Sequence, residues 1–358
     1  MNKFIIERQL LSHNIETILK LAGKTPVIAV VKCNGYGLGL LEYARFLAAN
    51  GIEIFGVSSL EEGIALRDAG FENEIILLTS VSVDEMAKSI VQNNLTATIG
   101  STEAAFALAR AGSDENVTPK AHIEIDTGMG RCGFAPDQVQ DIVALRDLPI
   151  QFTGTFTHFS FSFSKQKSDV DKPLSLFLDT VDKLRQGGFP TGILHAANSC
   201  AFLQYPNTHL DAVRIGSAFL GRIPIANRYG LKTVGYLESQ IVEVNHLKKG
   251  ANVGYGNTYR LKSDKKTAIV PVGYSDGFLV EKANDTFRLI DILRNLYHDL
   301  FPVRHYAEIG GKKAEIIGRT GMYNIICDIT GLDAKPGDAV ILKANPILLD
   351  HTVVREYV

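Results

Sequence analysis

VIAVVKCNGYGLG, residues 27–39, sets the fold. Five apolar, mostly β-branched residues run without alternation from Val27 to Val31, stop on Lys32, and give way to glycines at 35, 37 and 39. An unbroken apolar run of that length reads as a strand buried on both faces, the condition of a parallel sheet covered by helices. The pattern recurs seven times: FGVSS from Phe55, IILLT from Ile75, TATIG from Thr96, HIEID from His122, FTGTFTHF from Phe152, ILHAANS from Ile193 and AVRIGS from Ala212. Amphipathic stretches lie between the runs. In one of them Leu174, Phe177, Leu178, Val181 and Leu184 share a helical face, and Gly187-Gly188 supplies a stop. Eight such units predict an α/β chain folded as a (β/α)8 barrel of the TIM type, not an open doubly wound sheet.

After about residue 230 the alternation changes to strand-like runs separated by turn residues: VGYLESQIVEV, KTAIVPVGY, KKAEIIG, NIICDIT and GDAVILK. The expected organisation is therefore a barrel over 1–225 and a C-terminal, mainly-β domain over 226–358. Within the second part, Phe287, Ile290, Leu293, Leu296, Tyr297 and Leu300 keep helical spacing, which predicts an inserted helix from Asp285 to Leu300 ended by Pro302.

The chain has 358 residues, 46 % of them hydrophobic and 21 % charged, with a formal net charge of -2. That balance offers no strong field to nucleic acid or to an anionic membrane. The opening MNKFIIERQLLSHNIE has no secretory pattern, and no run approaches the roughly 20 apolar residues of a spanning helix, so a cytoplasmic location is expected. Cys33, Cys132, Cys200 and Cys327 form neither a CxxC pair nor a disulfide-dense pattern, and buried free thiols are the expected state of all four.

Barrel chemistry sits where strands end at the C-terminal face, so the polar residues ending these runs are the candidates. Lys32 ends the first: such a lysine either snorkels to solvent or is a desolvated amine, a better nucleophile toward an aldehyde cofactor. The loop after it, with Tyr36 among its glycines, lets backbone and a phenol approach a phosphate, though alone it is only a tight turn. His158 ends the sixth run, Asn198 and Ser199 the seventh, and Arg214 with Gly216 and Ser217 the eighth. The last two loops are the frequent phosphate site of this fold, while helix capping is the commoner use of a single serine there. In IDTGMGRCGF, residues 125–134, Arg131 follows two glycines and either meets an anion at the barrel mouth or bridges to a structural carboxylate.

Taken together, VVKCNGYGLG (30–39), IDTGMGRCGF (125–134), HAANSCAFL (195–203), DAVRIGSAFLG (211–221), VGYGNTY (253–259) and VGYSDGF (272–278) resemble the motifs of the bacterial alanine racemase family. The resemblance runs over nearly the whole chain. It implies an isomerase that uses pyridoxal 5′-phosphate, works as a homodimer with shared active sites, and makes a D-amino acid used as a cell-wall precursor. Lys32 would carry the cofactor, and Arg214 would face its pyridine nitrogen. Tyr36, Asn198, Ser199, Gly216 and Ser217 would bind the cofactor, chiefly at its phosphate, and Arg131 would sit near its phenolic oxygen and the substrate. His158 would hydrogen-bond between Arg214 and the second catalytic base, Tyr255 of the other subunit. Met322, through its backbone, and Tyr274 would contact the substrate. Two bases on opposite faces of Cα are what racemisation requires.

The chain departs from the family pattern in places. Glu124 stands where the family has a lysine that is often carbamylated, and an anion there is expected to orient Arg131 without modification. Tyr323 follows Met322 where an aspartate is usual, and the stretch after GDAVILK reaches VREYV without the segment that carries a further tyrosine. These departures leave open a racemase for serine or a basic amino acid. A non-catalytic pyridoxal-phosphate carrier lacks the second domain, and a decarboxylase on similar architecture needs an acceptor motif absent from GRTGMYN and from the surroundings of Cys327.

Overall fold

The computed structural model describes residues 2–281, 289–301 and 303–358. The expected helix start at Asp285, the apolar Phe287 and the stop at Pro302 lie outside them. The chain divides into two compact units, Gln9–Val234 and Met1–Arg8 with Gly235–Val358.

The first strand, β1 (Lys3–Ile6), belongs to the second unit. The first unit holds eight strands: β2 (Val27–Val30), β3 (Ile54–Val57), β4 (Glu74–Ser80), β5 (Thr96–Ile99), β6 (Lys120–Glu124), β7 (Gln151–Phe156), β8 (Ile193–His195) and β9 (Val213–Ile215). Each expected run overlaps one of them. They pair in the order β8-β7-β6-β5-β4-β3-β2-β9, all parallel. A parallel bridge between His195 and Ala212 brings β8 to the foot of β9, so the sheet returns on itself as a barrel. Every residue of β2 and of β5 is buried, and the sequence of β2, VIAV, accordingly does not alternate.

Helices cover the outside. In Ser168–Gln186 four of the five residues of the stripe read from the sequence, Leu174, Phe177, Val181 and Leu184, are buried, joined by Val170, while Leu178 is half-buried; Gly188 ends the turn with φ 74°.

In the second unit, β10 (Tyr236–Gln240), β11 (Glu243–Leu247), β12 (Lys265–Val270), β13 (Tyr306–Ile309), β14 (Lys312–Ile317), β15 (Ile325–Asp328), β16 (Ala339–Leu342) and β17 (Val354–Tyr357) join β1 in one sheet. Its order is β11-β12-β15-β14-β13-β16-β10-β1-β17. The sequence boundary at 225/226 left residues 1–8 with the barrel; here β1 pairs with β10 and β17 instead. A helix spans Leu289–Leu300, with Leu289, Leu293, Leu296 and Leu300 exposed. Among the described residues no helix is long and apolar enough to cross a membrane.

Candidate active site

A cavity of about 550 Å³ opens in the barrel unit, and its wall includes Lys32, Tyr36, Arg131, His158, Asn198, Ser199, Arg214, Gly216 and Ser217. These nine are the barrel residues singled out at strand ends, apart from Glu124. Their convergence follows from topology, since parallel strands present all their C-terminal ends at one face.

Lys32 enters this cavity on an unusual piece of backbone. Cys33, Asn34, Gly35, Tyr36 and Gly37 all have positive φ, between 53° and 82°, forming one left-handed turn. For non-glycine residues such a conformation costs roughly 1–2 kcal/mol each, so neighbours must impose it. The Glu62 carboxylate accepts from the Asn34 N–H at 3.1 Å and the Ser58 N–H at 3.4 Å. Asn34 Oδ1 in turn accepts from the Leu40 N–H at 2.8 Å. The turn aims Lys32 and Tyr36 at the same space.

Tyr36 is half-buried, and desolvation pushes its phenol up to about 12, so it stays protonated and able to donate. It lies against Gly216: a Cβ there would collide with the hydroxyl and sit 2.6 Å from Cζ. Only glycine allows this approach. Ser199 Oγ accepts from the Gly216 N–H at 3.0 Å and the Ala218 N–H at 3.3 Å, leaving its own O–H to donate elsewhere. Capping of the helix Ser199–Gln204 falls to Asn198, whose Oδ1 accepts from the Ala201 N–H at 3.1 Å.

Arg214 is only 4 % exposed. Its NH1 donates to His195 Nδ1 at 2.6 Å and to the His195 carbonyl at 2.9 Å; its NH2 donates to the carbonyls of Thr157 at 2.6 Å and Ala196 at 3.1 Å. Those bonds use four of the five guanidinium hydrogens, and Nε–H alone remains for the cavity. Burial pulls the guanidinium down to about 10, so it is still charged near neutrality.

The histidine bonded to Arg214 is therefore His195 and not His158, which corrects the expectation from the sequence. His195 closes β8 with its ring inside the barrel, and its neighbour across the sheet, His122 on β6, offers Nδ1 to His195 Nε2 at 2.9 Å. His158 lines the cavity, and burial together with Arg214, Arg131 and Lys32 holds it down at about 3, hence neutral. Neither His122 nor His195 was singled out from the sequence, because each sits inside an apolar strand run.

Glu124 also differs from expectation. It is 3 % exposed and makes no hydrogen bond to Arg131; Oε2 is buried without a partner. Its side chain packs beneath Gly133, where a Cβ would lie 3.1 Å from Glu124 Cγ, so the short side chain stays under the loop. Burial pushes its carboxyl up to about 7 against the pull of Arg131 and Arg214. The other nearby carboxylate, Asp126, is occupied by the N–H groups of Gly128, Met129 and Gly130. Arg131 is thus left to the cavity.

All four cysteines are free, but Cys33 is exposed and Cys132 half-buried, against the expectation of four buried thiols. Both line the cavity, as does Cys200.

In the second unit Tyr255 begins a short turn and is 73 % exposed. Tyr274 and Met322 lie on two turns bonded together: the Tyr274 N–H donates to the Gly321 carbonyl at 3.1 Å, and the Ser275 N–H to the Met322 carbonyl at 3.1 Å. Gly273 permits this, since a Cβ there would strike the Met322 carbonyl oxygen.

The family model for the alanine racemase N-terminal domain matches residues 6–224 and that for the alanine racemase C-terminal domain matches residues 234–353. An alanine racemase of Clostridium perfringens is 32 % identical over 345 residues, 94 % of this chain and 84 % of that protein. One of Methanococcus maripaludis is 30 % identical over 344 residues, 94 % of this chain and 87 % of that protein. Among solved structures, an alanine racemase of Clostridium difficile superposes with TM-score 0.89 at 27 % identity, covering 100 % of this chain and 95 % of the other. One of E. faecalis gives TM-score 0.84 at 26 % identity, covering 100 % and 98 %.

Proposed function

Because the chain belongs to the alanine racemase family, we propose that it interconverts L- and D-alanine with pyridoxal 5′-phosphate as cofactor, in a homodimer whose sites each use residues of both subunits. The observation that carries this reading is the donor count at Arg214: a permanently charged guanidinium offers one N–H to a cavity that also holds Lys32.

The residues present fit the cofactor. Tyr36 Oη, Ser199 Oγ, Ser217 and the open side of Gly216 form a cradle for a phosphate, with glycine where a Cβ would fill it. Lys32 would hold the aldehyde carbon through its amine, and Arg214 Nε–H would hydrogen-bond the pyridine nitrogen. When bound, the cofactor supplies a conjugated sink for the electron pair released at Cα.

The chain's own groups do the rest. Lys32 takes or returns a proton on one face of Cα, and Tyr255 of a second copy does so on the other. Arg131, free of structural carboxylates, orients the substrate carboxylate and the cofactor's phenolic oxygen; the Met322 backbone and Tyr274 border the same substrate. Arg214 holds its proton near neutrality and would offer the pyridine nitrogen a hydrogen bond without giving up that proton.

The test is chiral chromatography of the purified, cofactor-loaded protein against L- and D-alanine, serine, lysine and arginine. Alanine should racemise fastest. Faster turnover of serine or a basic amino acid would transfer the assignment to that substrate, a reading favoured by the exposed Tyr323 beside Met322. Borohydride should fix the cofactor on the peptide containing Lys32, and labelling of another lysine would overturn that role.

A further inference from the structure

Three side chains inside the barrel form a chain the proposed chemistry does not use beyond its first member. Arg214 NH1 lies 2.6 Å from His195 Nδ1, and His195 Nε2 lies 2.9 Å from His122 Nδ1. The exposures of His195 and His122 are 0 % and 1 %. Arginine only donates, so His195 Nδ1 must present its lone pair, and its proton must sit on Nε2. That proton needs an acceptor, and His122 Nδ1 is the one in place. By the same logic the His122 proton is on Nε2, where it has no hydrogen-bond partner.

The unpartnered N–H faces Gly154 on β7, where a Cβ would lie 2.7 Å from His122 Nε2. A register shift between Ala121 and His122 in the β6–β7 pairing sets the ring at that point. A buried N–H without a partner costs roughly 1–3 kcal/mol. An apolar residue would avoid that cost, so the histidine is kept for what its Nδ1 does.

We propose that His122 is a positioning residue: by accepting the His195 proton it fixes the His195 tautomer, and through it holds Arg214 with Nε–H turned to the cavity. Without that acceptor, His195 is free to place its proton on Nδ1, where it opposes the Arg214 N–H. The guanidinium then loses one of its four anchors and its aim. The effect on cofactor rests on the function proposed above; the effect on tautomer does not.

The test combines ¹⁵N NMR of histidine-labelled, cofactor-free protein with cofactor titration, in wild type, His122→Leu and His122→Asn. Asparagine places Oδ1 near the position of the imidazole Nδ1 and so retains the acceptor. In wild type, His195 should show a protonated Nε2 and a bare Nδ1, and the Asn variant should keep that pattern. In the Leu variant Nδ1–H should appear, the bound cofactor's absorption maximum should move, and its Kd should rise roughly ten-fold, the loss of one buried hydrogen bond. A wild-type spectrum with Nδ1–H on His195 overturns the proposal whether or not the variants fold. So does identical behaviour of the Leu and Asn variants, or an unchanged His195 tautomer in Leu. A tautomer that follows His122 in a wild-type protein without racemase activity would instead overturn the proposed function and leave the positioning chain standing.

Discussion

At the residue scale, the site is governed by two kinds of constraint, a missing side chain and a missing partner. Gly216 belongs to the first kind. Adding a methyl group there drives Tyr36 from the cradle, so Gly216→Ala should weaken cofactor binding at least ten-fold while circular dichroism stays unchanged, about 1.4 kcal/mol or more lost at the phosphate. Normal affinity in that variant would remove Gly216 from the cradle. Glu124 belongs to the second kind. Burial pushes its carboxyl up to about 7 in the fold, against the ordinary 4.5 in the unfolded chain, so between those values the unfolded chain gives up its proton first. Stability contributed by neutral Glu124 is therefore present below pH 4.5, falls as pH rises to about 7, and stays lost above it. Glu124→Gln removes this loss. The variant should be more stable than wild type at pH 8, by about 3 kcal/mol at most, and nearly indistinguishable near pH 4.5, as read by urea unfolding at the two pH values. A difference of the same size at both would show that titration is not the cause.

At the element scale, the sequence disclosed what burial makes uniform. Barrel strands such as β2 are covered on both faces and so appear as unbroken apolar runs, and the polar residues where such runs end, from Lys32 to Ser217, stand out as interruptions. Three strands of the other unit escaped notice: β1, β13 and β17, of four residues each. β1 also pairs only with segments more than 200 residues away in the chain, so nothing local marks it. His122 and His195 were hidden for the converse reason: inside an apolar run, a histidine that holds a site reads like one that fills a core. The left-handed turn after Lys32 was legible only as glycine-rich, since Cys33, Asn34 and Tyr36 give no sign of positive φ. Glu62 is what the turn depends on. Glu62→Ala should destabilise the barrel by about 1–2 kcal/mol, two amide acceptors being lost, and speed hydrogen exchange at Asn34 and Ser58 above that of the surrounding strands. Unchanged exchange at those two amides would mean that the turn holds itself.

At the scale of the whole molecule, the proposed reaction divides its two bases between units of different architecture. Lys32 stands on the barrel, while Tyr255 stands on the nine-stranded sheet unit, exposed. A mixture of Lys32→Ala and Tyr255→Phe chains should regain activity once subunits exchange, because one of the two sites in a mixed dimer then has both bases. Verified exchange without recovered activity would exclude sharing between subunits.

The central claim is that two bases address opposite faces of one Cα, and exchange of the Cα hydrogen in deuterated solvent tests it most directly. Wild type should incorporate deuterium into L- and D-alanine while interconverting them. The family resemblance implies that Lys32 faces the Cα hydrogen of D-alanine, so in Tyr255→Phe exchange should persist for D-alanine and slow for L-alanine by roughly 10²–10⁴-fold, the usual contribution of a positioned acid or base. Equal loss for both enantiomers, with cofactor still bound, would contradict the account.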